Sequence, residues 1–198
     1  MTELPLFPLS GVLLPHGRMP LRIFEQRYLD LVRDCMRNDS GFGVVWIRRG
    51  AEVAEKGSAS PELGDYGTLA KIVDWDQLPD GLLGITIEGV QRFHLHAVDS
   101  RPNGLVVGDV TLKEAPAQER LPEQWLSLVD VLRSLEDHPH VQRMNLPVDY
   151  NEAWQVAYTL VQLLPLDEPF KYDLLGFESA AELLGQLDEV LSQISGDD

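Results

Sequence analysis

The spacing of the apolar residues changes near residue 113, and this change constrains the fold more than any other feature. Before it, short β-rich runs alternate with turns. After it, apolar residues recur every three or four positions, as in the stretches that begin near Pro122 and Tyr150. Strands followed by helices are typical of an α+β chain. We therefore expect a β-rich part, residues 1–115, followed by a helical part, residues 116–198. The clearest β-rich runs are 42–47, 68–75, 83–88, 90–98 and 105–112.

Turn sequences separate several of these runs. Leu78-Pro79-Asp80-Gly81 contains the Asp-Gly pair of tight hairpins, and Arg101-Pro102-Asn103-Gly104 is a second turn. The run 4–9 holds two prolines, which is typical of an edge strand. Residues 23–36 have helical spacing, and the polar stretch 48–66 predicts a long loop. Several short strands at this spacing indicate a barrel or a sandwich.

The second part of the chain predicts a helical bundle. The helix that starts at Tyr150 is apolar nearly all round, which indicates burial, and Pro165 ends it. Residues 167–176 predict a short helix, and the capping-box pattern 179–182 begins the last one.

Charge and composition exclude some classes of function. The formal net charge is −16, although residues 1–50 carry seven arginines against five acidic residues. So acidic a chain repels phosphate backbones, and we therefore expect no nucleic-acid partner. We interpret the acid excess mainly as a solubility feature; the alternative is a repulsive screen around a binding patch near the arginines. No apolar run is long enough to span a bilayer, and the single cysteine forms no internal disulfide. We therefore expect a cytoplasmic protein with no membrane contact.

A set of short motifs occurs in a fixed order along most of the chain. The first is the opening segment, residues 4–29, in which prolines and a glycine punctuate an apolar stretch. The others are 42–47, Gly67-Thr68-Leu69-Ala70-Lys71-Ile72, Gly89-Val90-Gln91-Arg92-Phe93, Leu163-Leu164-Pro165-Leu166 and Lys171-Tyr172-Asp173-Leu174-Leu175. Together they resemble the Lon N-terminal domain, the substrate-recognition module of the ATP-dependent protease Lon. One departure is Ala181-Glu182-Leu183-Leu184, where family members often have an Arg-Leu pair.

The resemblance implies both a fold and a function. It implies a PUA-like β-barrel for residues 1–115 and an α-helical bundle for residues 116–198. It also implies recognition of unfolded or hydrophobic protein segments, as an adaptor or a chaperone-like factor. The chain has no Gly-x-x-x-x-Gly-Lys-Ser/Thr loop and no length for an ATPase or a Ser-Lys protease domain. We therefore expect a freestanding, non-catalytic protein that needs no cofactor and no metal.

The opening segment supplies the candidate peptide-binding residues. In this hypothesis an apolar patch is exposed beside a basic rim, and the loop 48–66 covers it as a lid. The alternative is that the apolar residues plug the end of the barrel. The candidate residues are Leu13, Leu14, Pro15, Arg18, Met19, Pro20 and Arg22.

Other chemistry has weaker signals. His94 and His96 share one strand face, as zinc ligands do, but they lack a clear third ligand. Cys35 lies on the apolar face of the first helix, where a small buried side chain explains it. Asp74 and Asp76 also share a strand face, which suits an acid–base pair or an ordinary exposed face. A small-ligand-binding PUA-like module is the alternative function, and a hydrolase with an unrecognised site is a third hypothesis.

Overall fold

The computed structural model describes residues 1–50, 52 and 61–196, with side chains described up to residue 193. The chain divides into two compact units, Met1–Ala115 and Pro116–Asp198. The first contains all six strands that the structure assigns and one helix, and the second is helical. The prediction of an α+β chain with its helices toward the C-terminus is therefore confirmed.

The first unit is built on a six-stranded mixed sheet. Its strand order is β2-β5-β4-β3-β1-β6, and β6 also pairs with the second half of β5. β1 runs parallel to β3, and every other pairing is antiparallel. The strands are β1 Thr2–Leu9, β2 Arg18–Ile23, β3 Phe42–Arg49, β4 Glu62–Gln77, β5 Leu83–Ser100 and β6 Val106–Leu112.

The six-stranded sheet as a whole is not a closed barrel, because one part of it has open edges. Within the described residues, β2 pairs only with β5, in a register that places Arg18 opposite Glu88 and Ile23 opposite Leu83. In the same part of the chain, the end of β4 from Ile72 onward pairs only with β5. Residues 18–23, 72–77 and 83–88 therefore form a projection of the sheet with two open edges, here called the three-stranded extension.

Three local expectations were wrong. β1 is not an edge strand, because it pairs with β3 on one side and β6 on the other. A proline removes only its own ladder hydrogen bond, so the rest of the strand still pairs. The runs 83–88 and 90–98 form one continuous strand through Gly89. The predicted loop 48–66 is shorter, since strands reach Arg49 and resume at Glu62; residues 51 and 53–60 lie outside the described residues.

Two apolar clusters stabilise the first unit. The helix α1, Gln26–Asn38, buries Tyr28, Leu31, Val32 and Cys35, which confirms the helical spacing seen in the sequence. The ring of Phe7 stacks on Tyr28 with centroids 3.9 Å apart. The larger cluster contains Phe7, Leu9, Leu13, Ile23, Tyr28, Leu31, Val32, Cys35, Phe42, Val44, Ala70, Ile85, Ile87 and Leu105. The smaller cluster contains Leu6, Val45, Phe93, Leu95 and Val110.

The second unit buries most of α4, as the sequence predicts. Eight of the eleven residues of α4 are buried. This burial on nearly all sides explains why the helix has no polar face. Asp167 caps the next helix by accepting a hydrogen bond from the Phe170 amide at 3.0 Å. The helices are α2 Leu126–Glu136, α3 Pro139–Met144, α4 Ala153–Leu163, α5 Glu168–Leu175 and α6 Ala180–Gly196. Within the described chain, none is both long and apolar enough to cross a bilayer.

Candidate functional site

Part of the predicted peptide-binding set lies in the interior. Leu13 and Leu14 are 1% and 0% exposed, and Pro15 is also buried. The Thr68 hydroxyl donates a hydrogen bond of 2.6 Å to the carbonyl oxygen of Leu13, which satisfies that buried acceptor. The hypothesis of an exposed patch is therefore wrong for these three residues, and their burial agrees with the alternative that they pack in the interior, beside β4 and β5.

The opening segment meets β5 at Gly89. The His16 amide donates to the Gly89 carbonyl oxygen at 2.8 Å, and the Gly89 amide donates to the Gly17 carbonyl oxygen at 2.9 Å. A Cβ at residue 89 would overlap the carbonyl oxygen of Leu14, so only glycine allows this approach. The contact sets the point at which β2 begins and joins the sheet.

The basic rim expected at β2 is largely neutralised. The Arg18 side chain donates from Nε to Glu88 Oε2 at 2.8 Å, and Arg22 forms an ion pair with Asp80. Met19 is half-buried against the larger apolar cluster, whereas Pro20 is exposed. The structure thus divides the predicted set into a buried segment and the surface of β2.

Three shallow grooves adjoin one another across the three-stranded extension and α1. The Phe24 groove, of about 330 Å³, has Phe7, Leu9, Phe24 and Tyr28 in its walls. The Leu78 groove, of about 320 Å³, has Leu78, Ile85, Thr86 and Asp76. The Met36 groove, of about 350 Å³, has Cys35, Met36, Ile72 and Val73.

The three grooves share walls. Pro20, Leu21 and Arg22 of β2 line both the Phe24 groove and the Leu78 groove. Asp74 and Trp75 of β4 line both the Leu78 groove and the Met36 groove. Each groove therefore adjoins the next through shared strand residues, and the three together are here called the groove surface.

Large apolar side chains remain exposed on the groove surface. Trp75 is 60% exposed, and Phe24 is 55% exposed, although both are side chains that folding usually covers. Met36 at 47% and Val73 at 42% add to them. The end of β4, which carries Val73 and Trp75, pairs with β5 alone in the described first unit, so one edge of the strand beside them is open. An exposed apolar patch of this kind marks an interaction site.

Two carboxylates flank Trp75. Asp74 Oδ1 accepts a hydrogen bond from the Trp75 amide at 2.9 Å, and Asp76 Oδ1 accepts from the Gln77 amide at 2.7 Å. These contacts hold each carboxylate beside the backbone of the open strand. The pair thus satisfies amides at a strand edge, a structural role that needs no acid–base chemistry.

Two titratable groups at the grooves have raised pKa values. Burial raises the pKa of the Tyr28 phenol to about 12, with the nearby Arg27 cation opposing the shift, so the hydroxyl stays protonated at neutral pH. Burial also raises the pKa of the Cys35 thiol, which disfavours the thiolate that a nucleophile requires. Neither group is therefore activated as a nucleophile.

The histidine pair lies elsewhere in the first unit. The rings of His94 and His96 stack with centroids 4.8 Å apart, and His96 Nε2 lies 2.8 Å from the Thr111 hydroxyl. In the described part of the chain, no group of three or more His, Cys, Asp or Glu side chains is placed to hold a metal ion. A fourth groove of about 540 Å³ runs along this end of β5, with Asp65, His96 and Asp99 in its walls.

Sequence reasoning missed most of the groove surface. Phe24, Met36, Val73 and Trp75 look like ordinary core residues in the sequence, since exposure of an apolar side chain depends on what packs over it. The one available signal was the position of Trp75 between two aspartates just before the hairpin turn, because charged residues at a strand end indicate that the strand is leaving the core.

Comparison with known proteins gives a consistent result. The chain is 38% identical to a Lon N-terminal domain protein from Xanthomonas campestris, whose crystal structure superposes with a TM-score of 0.74 over 94% of this chain and 97% of that one. The N-terminal domain of a Mycobacterium avium complex Lon protease shares the fold, with a TM-score of 0.61 at 16% identity over 95% of this chain and 97% of that one.

Relatives matched by sequence are much longer proteins. The Lon protease of Anaeromyxobacter dehalogenans is 27% identical over 184 residues, which is 79% of this chain and 21% of that protein. Lon protease 2 of Myxococcus xanthus is 34% identical over 93 residues, 46% of this chain and 11% of that protein. Residues 3–193 match the family described as the ATP-dependent protease La (LON) substrate-binding domain. The chain therefore belongs to the Lon substrate-binding domain family.

Proposed function

We propose that this chain recognises unfolded or hydrophobic protein segments on the groove surface. The single observation that carries the proposal is that the three grooves adjoin one another beside exposed apolar side chains, with Pro20, Leu21 and Arg22 shared by two of them and Asp74 and Trp75 by two. An extended segment presents side chains on alternating sides, so apolar residues at every second position face the grooves. Folded proteins bury such residues, and the site is accordingly selective for unfolded chains.

The proposal revises the candidate residues. Pro20 and Arg22 remain contact residues because they line two of the grooves, and Met19 and Arg18 position the strand that carries them. Leu13, Leu14 and Pro15 support this strand from the interior. Trp75, Phe24 and Met36 replace them as the apolar contacts.

The proposed role of these residues is binding without catalysis. An adaptor or chaperone-like role suits a surface that offers apolar contacts and no activated nucleophile. The freestanding role, the cytoplasmic location, the PUA-like character of residues 1–115 and the absence of a nucleic-acid, membrane, metal or cofactor partner remain predictions.

The test is a double substitution on the groove surface. Trp75→Ser/Phe24→Ser removes the two largest exposed apolar contacts, so we expect affinity for a permanently unfolded model protein to fall about tenfold or more. Fluorescence anisotropy with a labelled, reduced and alkylated protein measures this affinity. Equal affinity of the wild type and the double variant would show that the unfolded protein does not bind on the groove surface.

A matched control uses exposed apolar residues elsewhere in the first unit. Val90 and Leu112 are 40% and 42% exposed and line none of the three grooves. Val90→Ser/Leu112→Ser should therefore leave binding unchanged. A loss of binding in this control would indicate nonspecific binding to exposed apolar side chains instead of binding at the groove surface.

The alternative function, small-ligand binding, has its own observation. The groove along the end of β5 has a volume of about 540 Å³, within the range of small-molecule sites, and polar side chains such as Asp65, His96 and Asp99 line it. A ligand screen by thermal denaturation tests it: stabilisation lost in His96→Ala and kept in Trp75→Ser favours the alternative.

A further inference from the structure

We propose that the groove surface selects apolar segments that carry lysine or arginine over those that carry acidic residues. This inference rests on the proposed function and names the class of segment that the same grooves take. The observation behind it is the charge on the groove walls, which is predominantly negative.

Acidic side chains outnumber basic ones in the three grooves. The basic residues are Arg22 and Lys71, and Arg22 is already paired with Asp80. Glu25 is likewise paired with Arg27. The acidic residues in the walls are Glu25, Asp39, Glu52, Asp74 and Asp76.

Asp74 and Asp76 are the best placed of these carboxylates. Both are exposed, and neither forms an ion pair within the described residues. One oxygen of each carboxylate accepts a hydrogen bond from the following backbone amide, which holds the group in place. A lysine or arginine of a bound segment thus meets a preorganised acceptor without displacing an internal partner.

The aromatic residue between them favours the same class of segment. Trp75 is 60% exposed and lines two of the grooves. An indole face binds apolar side chains and also attracts ammonium and guanidinium groups. Because side chains alternate along β4, the Trp75 indole lies on one face of the strand and the two carboxylates on the other, so each face offers a group that attracts basic side chains.

The whole chain contributes in the same direction. Its formal net charge of −16 repels acidic segments and attracts basic ones at long range. Moderate salt screens this long-range attraction beyond roughly 10 Å, whereas direct contact with Asp74 or Asp76 is less sensitive to salt. The salt dependence of peptide affinity consequently separates the long-range attraction by net charge from direct contact with the two carboxylates.

The experiment compares three extended peptides of about ten residues that share one apolar framework. Two variable positions hold lysine, glutamine or glutamate. Each exposed ion pair contributes about two- to fivefold in affinity, so the lysine peptide should bind about fivefold tighter than the glutamine peptide and the glutamate peptide most weakly. Anisotropy titrations at about 50 mM and about 500 mM salt give the dissociation constants.

The variant Asp74→Asn/Asp76→Asn tests the local contact. Asparagine keeps the oxygen that accepts the backbone amide, so the strand edge is preserved while the charge is removed. We expect the lysine peptide to lose its advantage in this variant and the glutamine peptide to bind as it does to wild type.

Asp99→Asn/Asp109→Asn is the matched control. Both residues are exposed in the first unit, line none of the three grooves, and Asp99 accepts the Ser100 amide at 2.7 Å much as Asp74 and Asp76 accept theirs. This control should keep the preference for lysine. Equal affinity for the three peptides, or an equal loss in both double variants, overturns the inference. If none of the peptides binds, the proposed function itself fails.

Discussion

At the scale of single residues, Gly89 has the strictest requirement. The carbonyl oxygen of Leu14 occupies the space that a Cβ would take, and Gly89 exchanges backbone hydrogen bonds with His16 and Gly17. A glycine is therefore needed for the close approach of two backbones and not for a turn. This explains the first position of the Gly89-Val90-Gln91-Arg92-Phe93 motif in physical terms.

Gly89→Ala should destabilise the protein. The added methyl group meets backbone that cannot rotate away, and overpacking of this kind costs about 1–3 kcal/mol of the free energy of unfolding. Urea denaturation followed by tryptophan fluorescence measures the change.

Gly185→Ala is the control for that substitution. A Cβ there meets nothing within 4 Å and lies inside α6, so the alanine should stabilise the helix by about 1 kcal/mol. If both alanine variants are as stable as wild type, the steric account of Gly89 is wrong.

At the scale of elements, the end of β4 is an open edge that carries its own protection. Its residues from Ile72 to Gln77 pair only with β5 within the described chain. Open edges template pairing with other chains, and natural proteins oppose this with charge. Asp74 and Asp76 place two charges there and also occupy the amides of the following residues.

Asp74→Ala/Asp76→Ala should therefore promote self-association. The substitution removes both the charge and the side-chain acceptors, which frees the edge for pairing with a second copy. We expect a concentration-dependent rise in mass by analytical ultracentrifugation or light scattering.

The comparison variant Asp74→Asn/Asp76→Asn keeps the acceptors and should associate less than the alanine variant. Association of equal strength in both would show that charge alone protects the edge. If the alanine variant stays monodisperse, Asp74 and Asp76 do not protect the edge of β4 against association.

At the scale of the whole molecule, the proposed binding function belongs to one unit. Both apolar clusters of the first unit and every residue that lines the three grooves lie within residues 1–115. The unit thus has its own core and its own candidate site. This arrangement makes it a candidate for independent folding.

A fragment of residues 1–115 should unfold cooperatively and bind the same unfolded protein as the full chain. We expect dissociation constants that agree within about threefold, since no groove residue is removed. Circular dichroism melting and anisotropy check the two parts of this prediction. A folded fragment that fails to bind would assign part of the site to residues 116–198.

The sequence alone determined the class of fold and the family. Apolar periodicity separated the strand-rich part from the helical part, because residue spacing reports which face of an element is buried. The motifs identified the family because they occur in order along most of the chain. Local turn and capping residues also placed the hairpin at 78–81 and the start of α5, since those preferences depend on a few neighbouring residues.

Only the tertiary structure decided which apolar residues are exposed. Leu14 and Trp75 are both large and apolar, yet one is 0% and the other 60% exposed. The difference arises because the opening segment packs against β4 and β5, whereas the end of β4 projects with a single paired neighbour. Exposure depends on contacts between residues far apart in the sequence, and those contacts are set by the pairing of whole strands. The family is therefore readable from the chain itself, and the candidate binding surface only from its fold.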